Sequence, residues 1–463
     1  MKTGKQALVP LFGGIFLLLL CVIMPGSLTQ KGVWLNGDIG MNKAVVTVKK
    51  SSPPAGPGLT PREIKKLAGS LGTKEFTYNA RPALSRVPVK AGGAGVMAEV
   101  TGTNPMLPRF HRMNMLSGSF FTETAETEGA DVAVIDDRLA WDAFRTENAV
   151  GETLELYGRR FRITGVVKRD ASVLSKLTDN GLPQVFIPGE RLFELDSGAL
   201  IPVFEVRTED PGTLDNNRRL ISAALQEAGE NPSGYGIVDF NIQRALLEQR
   251  PGILVFILGC VIILLLAVWI RRVLKGLVPA LRQECRTDYL TGVIRKNARR
   301  TGIAAMKVLA ALTAMLFVAA GIRFSLYIPP TLIPEELIDI SFYFGLIREG
   351  IRNGLENQGY VAGTAEMLLN RLGMLTGWPL AIAGAAGLLS AYAGFGRLKL
   401  LRIQIHRLSL ACGLFMLLSL MLLAAAAGAL GLPFRPETTD ILIVWAFVYI
   451  NLWFYQYKSE KGS

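Results

Sequence analysis

The chain has 463 residues, 50% of them hydrophobic, with a mean hydropathy of +0.32, a formal charge of +12 and a pI near 9.6. The apolar residues fall in long runs, which excludes an ordinary soluble enzyme. The basic excess lies beside those runs, which excludes the nucleic-acid reading of a high pI.

A stretch of about 20 apolar residues spans a bilayer. Such runs predict spans near Leu8–Met24, Gly252–Ile270, Ile303–Gly321, Met374–Phe395, Leu408–Leu430 and Ile441–Tyr455. The last is short, and its Trp445, Tyr449, Trp453, Phe454 and Tyr455 resemble an interfacial aromatic belt. The expected organisation is an anchor over residues 1–24, an outer domain over 25–250, a second span over 251–270 and a basic cytoplasmic segment over 271–302. A third span over 303–323, an outer helical loop over 324–373, and three further spans with a short tail over 374–463 complete the chain. Met24-Pro25-Gly26-Ser27 is a poor cleavage site, so the first run reads as a retained anchor.

Charge sets the orientation. Residues 25–250 carry 27 Lys+Arg and 27 Asp+Glu, whereas residues 271–302 carry nine Lys+Arg against Glu284 and Asp288. The loop 396–407 adds Arg397, Lys399, Arg402 and Arg407 without an acid, and residues 324–373 hold three Arg and six acids. Short basic loops stay in the cytoplasm. Both termini are therefore expected inside a bacterial cell membrane, with residues 25–250 and the acidic loop outside. The four cysteines, Cys21, Cys260, Cys285 and Cys412, all avoid the outer domain, so no disulfide framework supports it.

Along the outer domain, Val45–Val48 reads as a strand and residues 51–61 as a Pro/Gly-rich loop. Thr60-Pro61-Arg62-Glu63 is a capping box with proline in the first turn, and Gly69 or Gly72 ends the helix it opens. Val132–Ile135 is a strand and Asp136–Phe144 a helix. Thr153–Tyr157 and Phe161–Val167 alternate about a Gly158-Arg159 turn, a hairpin signal. Gln184–Ile187 and Phe204–Arg207 are strands, Leu214–Ala228 is an amphipathic helix, and Ile237–Phe240 is a strand. Asn241–Gln249 leads helically into the second span. The mixed order predicts an α+β outer domain of two small lobes on a six-span helical membrane protein.

Beyond the second span, Leu281, Cys285, Tyr289 and Val293 recur every four residues opposite Arg282, Arg286 and Asp288. This pattern fits either a helix docking a cytoplasmic partner or an interfacial helix on anionic lipid. In the outer loop, Glu335–Asn357 and Gly363–Leu372 read as helical, with Leu337, Ile338, Ser341, Phe342 and Gly345 as a stripe.

No catalytic constellation emerges. Gly69–Lys74 reads GSLGTK, but the spacing is wrong for a phosphate loop and Lys74 is followed by Glu75. There is no G-x-S-x-G elbow. Asp136-Asp137 reads as acid at a helix N-terminus, and His111 as a solvated loop histidine. His111 and His406 are the only histidines, and no metal-ligand spacing exists. The expectation is a chain with no cofactor and no enzymatic activity of its own. Lys307 lies about one turn into its span and can snorkel, and no acid lies deep in any span. Ala381, Gly384, Ala385, Gly387 and Ala424–Gly428 suit close helix packing.

One ordered set is more specific. It consists of MLSGSFF at 115–121, VAVIDDRLAWDAF at 132–144, AVGETLEL at 149–156, GRRFRITGVV at 158–167 and VFIP at 185–188. Together these resemble the extracytoplasmic core domain of MacB/FtsX-type ABC permeases, over roughly Lys43–Asp239. Gly118, Gly151, Gly158, Gly165 and Pro188 are then fold-defining positions. The resemblance implies a homodimer or a heterodimer with a related permease, in contact with membrane lipids, and a separate cytoplasmic ABC ATPase whose motion the helices carry outward. It makes residues 271–300 the expected ATPase contact, with Arg282, Glu284, Arg286 and Tyr289 as its candidates. The implied task is moving an amphiphile, peptide or lipid-linked cargo. The alternative is an FtsX-like module that binds and activates an envelope protein such as a cell-wall hydrolase. Members typically have four spans, so the membrane half read here is atypical.

Overall fold

The computed structural model describes residues 2–49, 58–72, 75–208, 216–284, 298–323, 364–398 and 405–461, with short pieces at 326–329, 333, 341–345 and 348. Two compact units form. One comprises Thr29–Leu246 and Tyr327–Gly373, the other Met1–Leu28, Leu247–Leu326 and Met374–Ser463.

The first unit holds an 11-stranded sheet. Four antiparallel strands form one half, in the order β11 (Tyr235–Asp239), β1 (Lys43–Val48), β10 (Leu200–Arg207) and β2 (Phe76–Arg81). The central strand β1 is buried on both faces, which is why KAVVTV is nearly continuous in β-branched and apolar residues. The second half closes on itself. β4 (Ala94–Thr103) pairs β3 (Val87–Ala91), which pairs β7 (Thr153–Leu156), then β8 (Arg159–Lys168), β6 (Val132–Asp136) and β9 (Gln184–Pro188). A parallel pairing of β9 with β4 completes a six-stranded ring. Closure removes free edges, which an antiparallel sheet would otherwise have to protect. β8 is long enough to take β7 along its first half and β5 (Asn114–Gly118) along its second. The halves meet where Ala80 of β2 pairs Gly102 of β4.

Helices cover the sheet. α2 (Pro61–Ser70) starts with the expected capping box: Thr60 accepts from the Glu63 amide while the Glu63 carboxylate accepts from the Thr60 amide. Its Ile64 and Leu67 join Ile221 and Leu225 of the helix Asn216–Ala228 in one core with Phe161 and Phe204. That single core runs through both sheet halves. The expected helix at 136–144 runs from Asp137 to Phe144, and the β7–β8 turn is Tyr157-Gly158, both at positive φ, one residue earlier than expected. Strands β2 to β5 are additions to the sequence reading. The described part of the outer loop contributes the helix Thr364–Thr376, whose Glu366 carboxylate accepts from the Thr47 hydroxyl at 3.2 Å. Leu337 and Ile338 of the expected stripe, like residues 51–57, lie outside the described residues, whereas Ser341, Phe342 and Gly345 fall in a helical piece at 341–345.

Among the described residues, five helices are long and apolar enough to cross a membrane: Leu8–Leu35, Phe240–Pro279, Ala298–Gly321, Thr364–Leu398 and His406–Ala429. Thr438–Phe454, the sixth expected span, is a shorter apolar helix. The first helix, α1, runs from Lys2 to Leu35 with Pro25 inside it, past the expected end of the anchor at Met24. Proline removes one donor without ending the helix here, and the Ser27 hydroxyl two residues on donates to the Ile23 carbonyl at 3.3 Å. Leu11, Ile15, Leu18, Leu19, Val22 and Ile23 form one buried stripe at helical spacing. Small residues let the helix Trp378–Leu398 approach closely: a Cβ at Gly14 would lie 2.5 Å from the Ala391 amide, and one at Gly394 2.6 Å from Leu11. Gly387 packs on Leu17, whereas Gly428 faces open space.

Candidate functional site

The positions expected to define the outer domain sit at its turns and junctions. Gly118 ends β5 at φ +67, where a Cβ would collide with the Thr164 carbonyl. Gly151 (φ +94) and Gly158 (φ +77) flank β7 with open space around them. At Gly165, in β8, a Cβ would lie 2.6 Å from the Ser119 carbonyl oxygen. Pro188 closes β9 opposite Thr103 of β4 and leads into a short helix from Gly189 to Leu195.

A charged cluster that sequence reading missed lies in the four-stranded half. Val45 pairs Glu205 across β1 and β10, so Lys43 and Glu205 project from neighbouring strands. The Lys43 ammonium donates to the Glu205 carboxylate at 2.6 Å and to the Phe110 carbonyl at 3.0 Å. It also lies 5.3 Å from the Phe240 ring centre. His111 Nε2 is 2.7 Å from the other carboxylate oxygen, so His111 is a half-buried partner rather than the solvated loop residue expected. Lys43 and Glu205 are 0% and 1% exposed. Burial alone would raise the Glu205 carboxyl, but the charges of His111 and Lys43 reverse this and hold it at about 2. The cluster therefore pins the segment after α3 (Leu107–Phe110) to the central strands.

A second network surrounds Asp136, at the end of β6. One carboxylate oxygen accepts from the Leu139 amide at 2.8 Å and caps the helix Asp137–Phe144, the role expected for an acid there. The other accepts from Arg169 Nε at 2.7 Å and from the Gln184 amide at 2.9 Å. Arg169 reaches on to Asp179 and to the Leu182 carbonyl. Asp136, Arg169, Asp179, Gln184 and His111 border a cavity of about 210 Å³ with mixed polar and apolar walls, which also touches Asn36, Arg112 and Leu368. None of them is a nucleophile paired with a base. Among the described residues, no group of three or more His, Cys, Asp or Glu side chains is set to hold a metal.

The final turns of α1 are stitched to the sheet unit. Lys31 donates to Asp170 at 2.6 Å and lies 3.8 Å above the Trp34 ring, whose face Arg112 also approaches. The Arg112 amide donates to the Leu35 carbonyl at 2.9 Å, and the Ile39 amide to the Arg109 carbonyl at 3.1 Å. Of the residues expected to meet an ATPase, Arg282 and Glu284 lie in the last turn of the helix Phe240–Glu284, with their side chains outside the described residues. Arg286 and Tyr289 lie wholly outside them.

Residues 14–224 match the family described as the MacB-like periplasmic core domain. The chain is similar to the periplasmic region of MacB from Actinobacillus actinomycetemcomitans, with 16% identity and a TM-score of 0.37 over 47% of this chain and 95% of that one. It is also similar to the extracellular domain of the noncanonic ABC-type transporter YknZ from Gram-positive bacteria, with 15% identity and a TM-score of 0.35 over 42% of this chain and all of that one. No curated protein matches the chain. Residues 14–224 thus carry a MacB-like periplasmic core domain, in one polypeptide with helices long and apolar enough to cross a membrane.

Proposed function

We propose that this chain is the permease subunit of an ABC system and passes motion from a separate cytoplasmic ATPase to its outer domain, moving an amphiphile, peptide or lipid-linked cargo. The observation that carries this reading is the MacB-like core domain at 14–224, joined in the same chain to five apolar helices. Two features support it. The first helix continues without interruption from Lys2 to Leu35, and its last turns are tied to the outer sheet through Lys31–Asp170 and Arg112–Leu35. The basic excess of residues 271–302 supports a cytoplasmic location for that segment and for both termini.

The ATPase contact is assigned to residues 271–300, with Arg282, Glu284, Arg286 and Tyr289 as its contact groups. Reversing charge with Arg282→Glu and Arg286→Glu should lower the ATPase recovered with the full-length chain by tenfold or more, while thermal unfolding of the outer domain is unchanged. Equal recovery from the variant would remove this segment as the docking element.

A further inference from the structure

The helix Phe240–Glu284 and the helix Ala298–Gly321 run antiparallel. A Cβ at Gly259 would press on Ile322, while Leu274 and Leu312 share one groove further along. That groove has a volume of about 500 Å³, with Leu274, Val278, Leu312 and Met315 as its apolar walls and Arg271 and Lys275 at its margin. Leu274, Val278 and Leu312 are 42%, 54% and 45% exposed, so the groove is open.

Its position along the chain fixes its depth. No charged residue occurs from Gly252 to Ile270, and Arg271 is the first charge after this run. About 20 residues cross the hydrocarbon core, so Arg271 and Lys275 stand at headgroup level, and the end of the groove formed by Ala267, Ile270, Leu312 and Met315 reaches into the acyl region. Four residues apart, the two cations share one helix face, where like charges repel. Among the described residues no acid pairs with either, whereas the neighbouring Arg272 lies 4.6 Å from the Phe454 ring. A pair of cations with no acid partner among the described residues, at the mouth of an apolar slot, is complementary to an anion that carries a hydrocarbon chain.

We propose that this groove binds one anionic phospholipid, its phosphate on Arg271 and Lys275 and an acyl chain along Ile270, Leu312 and Met315. The site rests on the membrane helices alone and does not depend on coupling to an ATPase. A zwitterionic lipid brings its own ammonium to the same two cations and is disfavoured there.

The test is native mass spectrometry of the full-length chain in mild detergent, titrated with phosphatidylglycerol or phosphatidylcholine of matched chains. The wild type should retain one phosphatidylglycerol with at least tenfold preference. Arg271→Gln with Lys275→Gln should reduce that preference by about tenfold or more. Arg299→Gln with Arg300→Gln, on an exposed turn outside the groove, should leave it intact. Leu312→Trp, which fills the slot and keeps both charges, should also reduce retention. If the double glutamine variant does not accumulate, Lys275→Gln alone should lower the preference. Equal retention of the two lipids by the wild type, or undiminished preference in the groove variants, would overturn the proposal.

Discussion

Replacing Lys43 with Met tests the buried cluster most severely. Lys43 is wholly buried, and its ammonium is one of two partners of the equally buried Glu205 carboxylate. Met matches the aliphatic stem but leaves that carboxylate with His111 alone. Removing one member of a buried ion pair costs about 3–5 kcal/mol, against a total stability on the order of 5–15 kcal/mol for a domain. For a domain of this size each kcal/mol moves the midpoint by about 2–4 °C. The thermal midpoint of the purified full-length chain should thus fall by on the order of 10 °C. Adding Glu205→Leu should recover most of the loss, because an apolar pair of similar volume replaces an ion pair at little cost. The pH dependence has a definite sign. The Glu205 carboxyl is held at about 2 in the folded chain, below its ordinary value of about 4.3. Its stabilisation is therefore complete above the ordinary value and is lost as pH falls toward 2, amounting to about 3 kcal/mol. That part of the acid destabilisation should be missing from the double variant. A Lys43→Met midpoint within about 2 °C of wild type, or a double variant as unstable as the single one, would refute the reasoning.

Three further outcomes are expected from the same unfolding measurement. Gly118→Ala should destabilise by about 3 kcal/mol and Gly158→Ala by about 1 kcal/mol, since both need positive φ but only Gly118 has a carbonyl in the way; equal losses would contradict the packing at Gly118. Asp136→Ala should cost about 2–4 kcal/mol by removing the helix cap and stranding the Gln184 amide and Arg169, and Asp136→Asn should recover part of this by keeping the cap. In the membrane half, Gly14→Val should lower the midpoint by forcing the first helix off Ala391, whereas Gly13→Val, with nothing near it, should be neutral; a neutral Gly14→Val would contradict that contact.

What could be read from the sequence was local. The capping box at Thr60–Glu63 and the alternation about Gly158 each sit within one short segment, and the structure builds the helix and the hairpin there. The ordered motifs from Met115 to Pro188 pointed to the core domain that residues 14–224 match. Strands β3 and β4 were hidden because Pro88, Gly95 and Gly102 interrupt any strand pattern. The ring closure depends on a parallel pairing between β4 and β9, more than 80 positions apart, which no local pattern encodes. The Lys43–Glu205 pair spans 162 positions. Its only sequence signal was a charge set among β-branched and apolar residues in each strand, Lys43 before Ala44-Val45-Val46 and Glu205 between Phe204 and Val206. The apolar run ends at Met24, yet the helix continues to Leu35, because proline at 25 costs a helix one donor and a local bend rather than its continuation.

The central claim is that the chain works as the permease of an ATPase-driven system. Affinity purification of the full-length chain from its native membrane, with mass spectrometry of the proteins that accompany it, tests this most directly. The account predicts a stoichiometric ABC ATPase in the eluate. Reproducible recovery of an envelope protein with no ATPase would contradict it and make the outer domain a binding module instead.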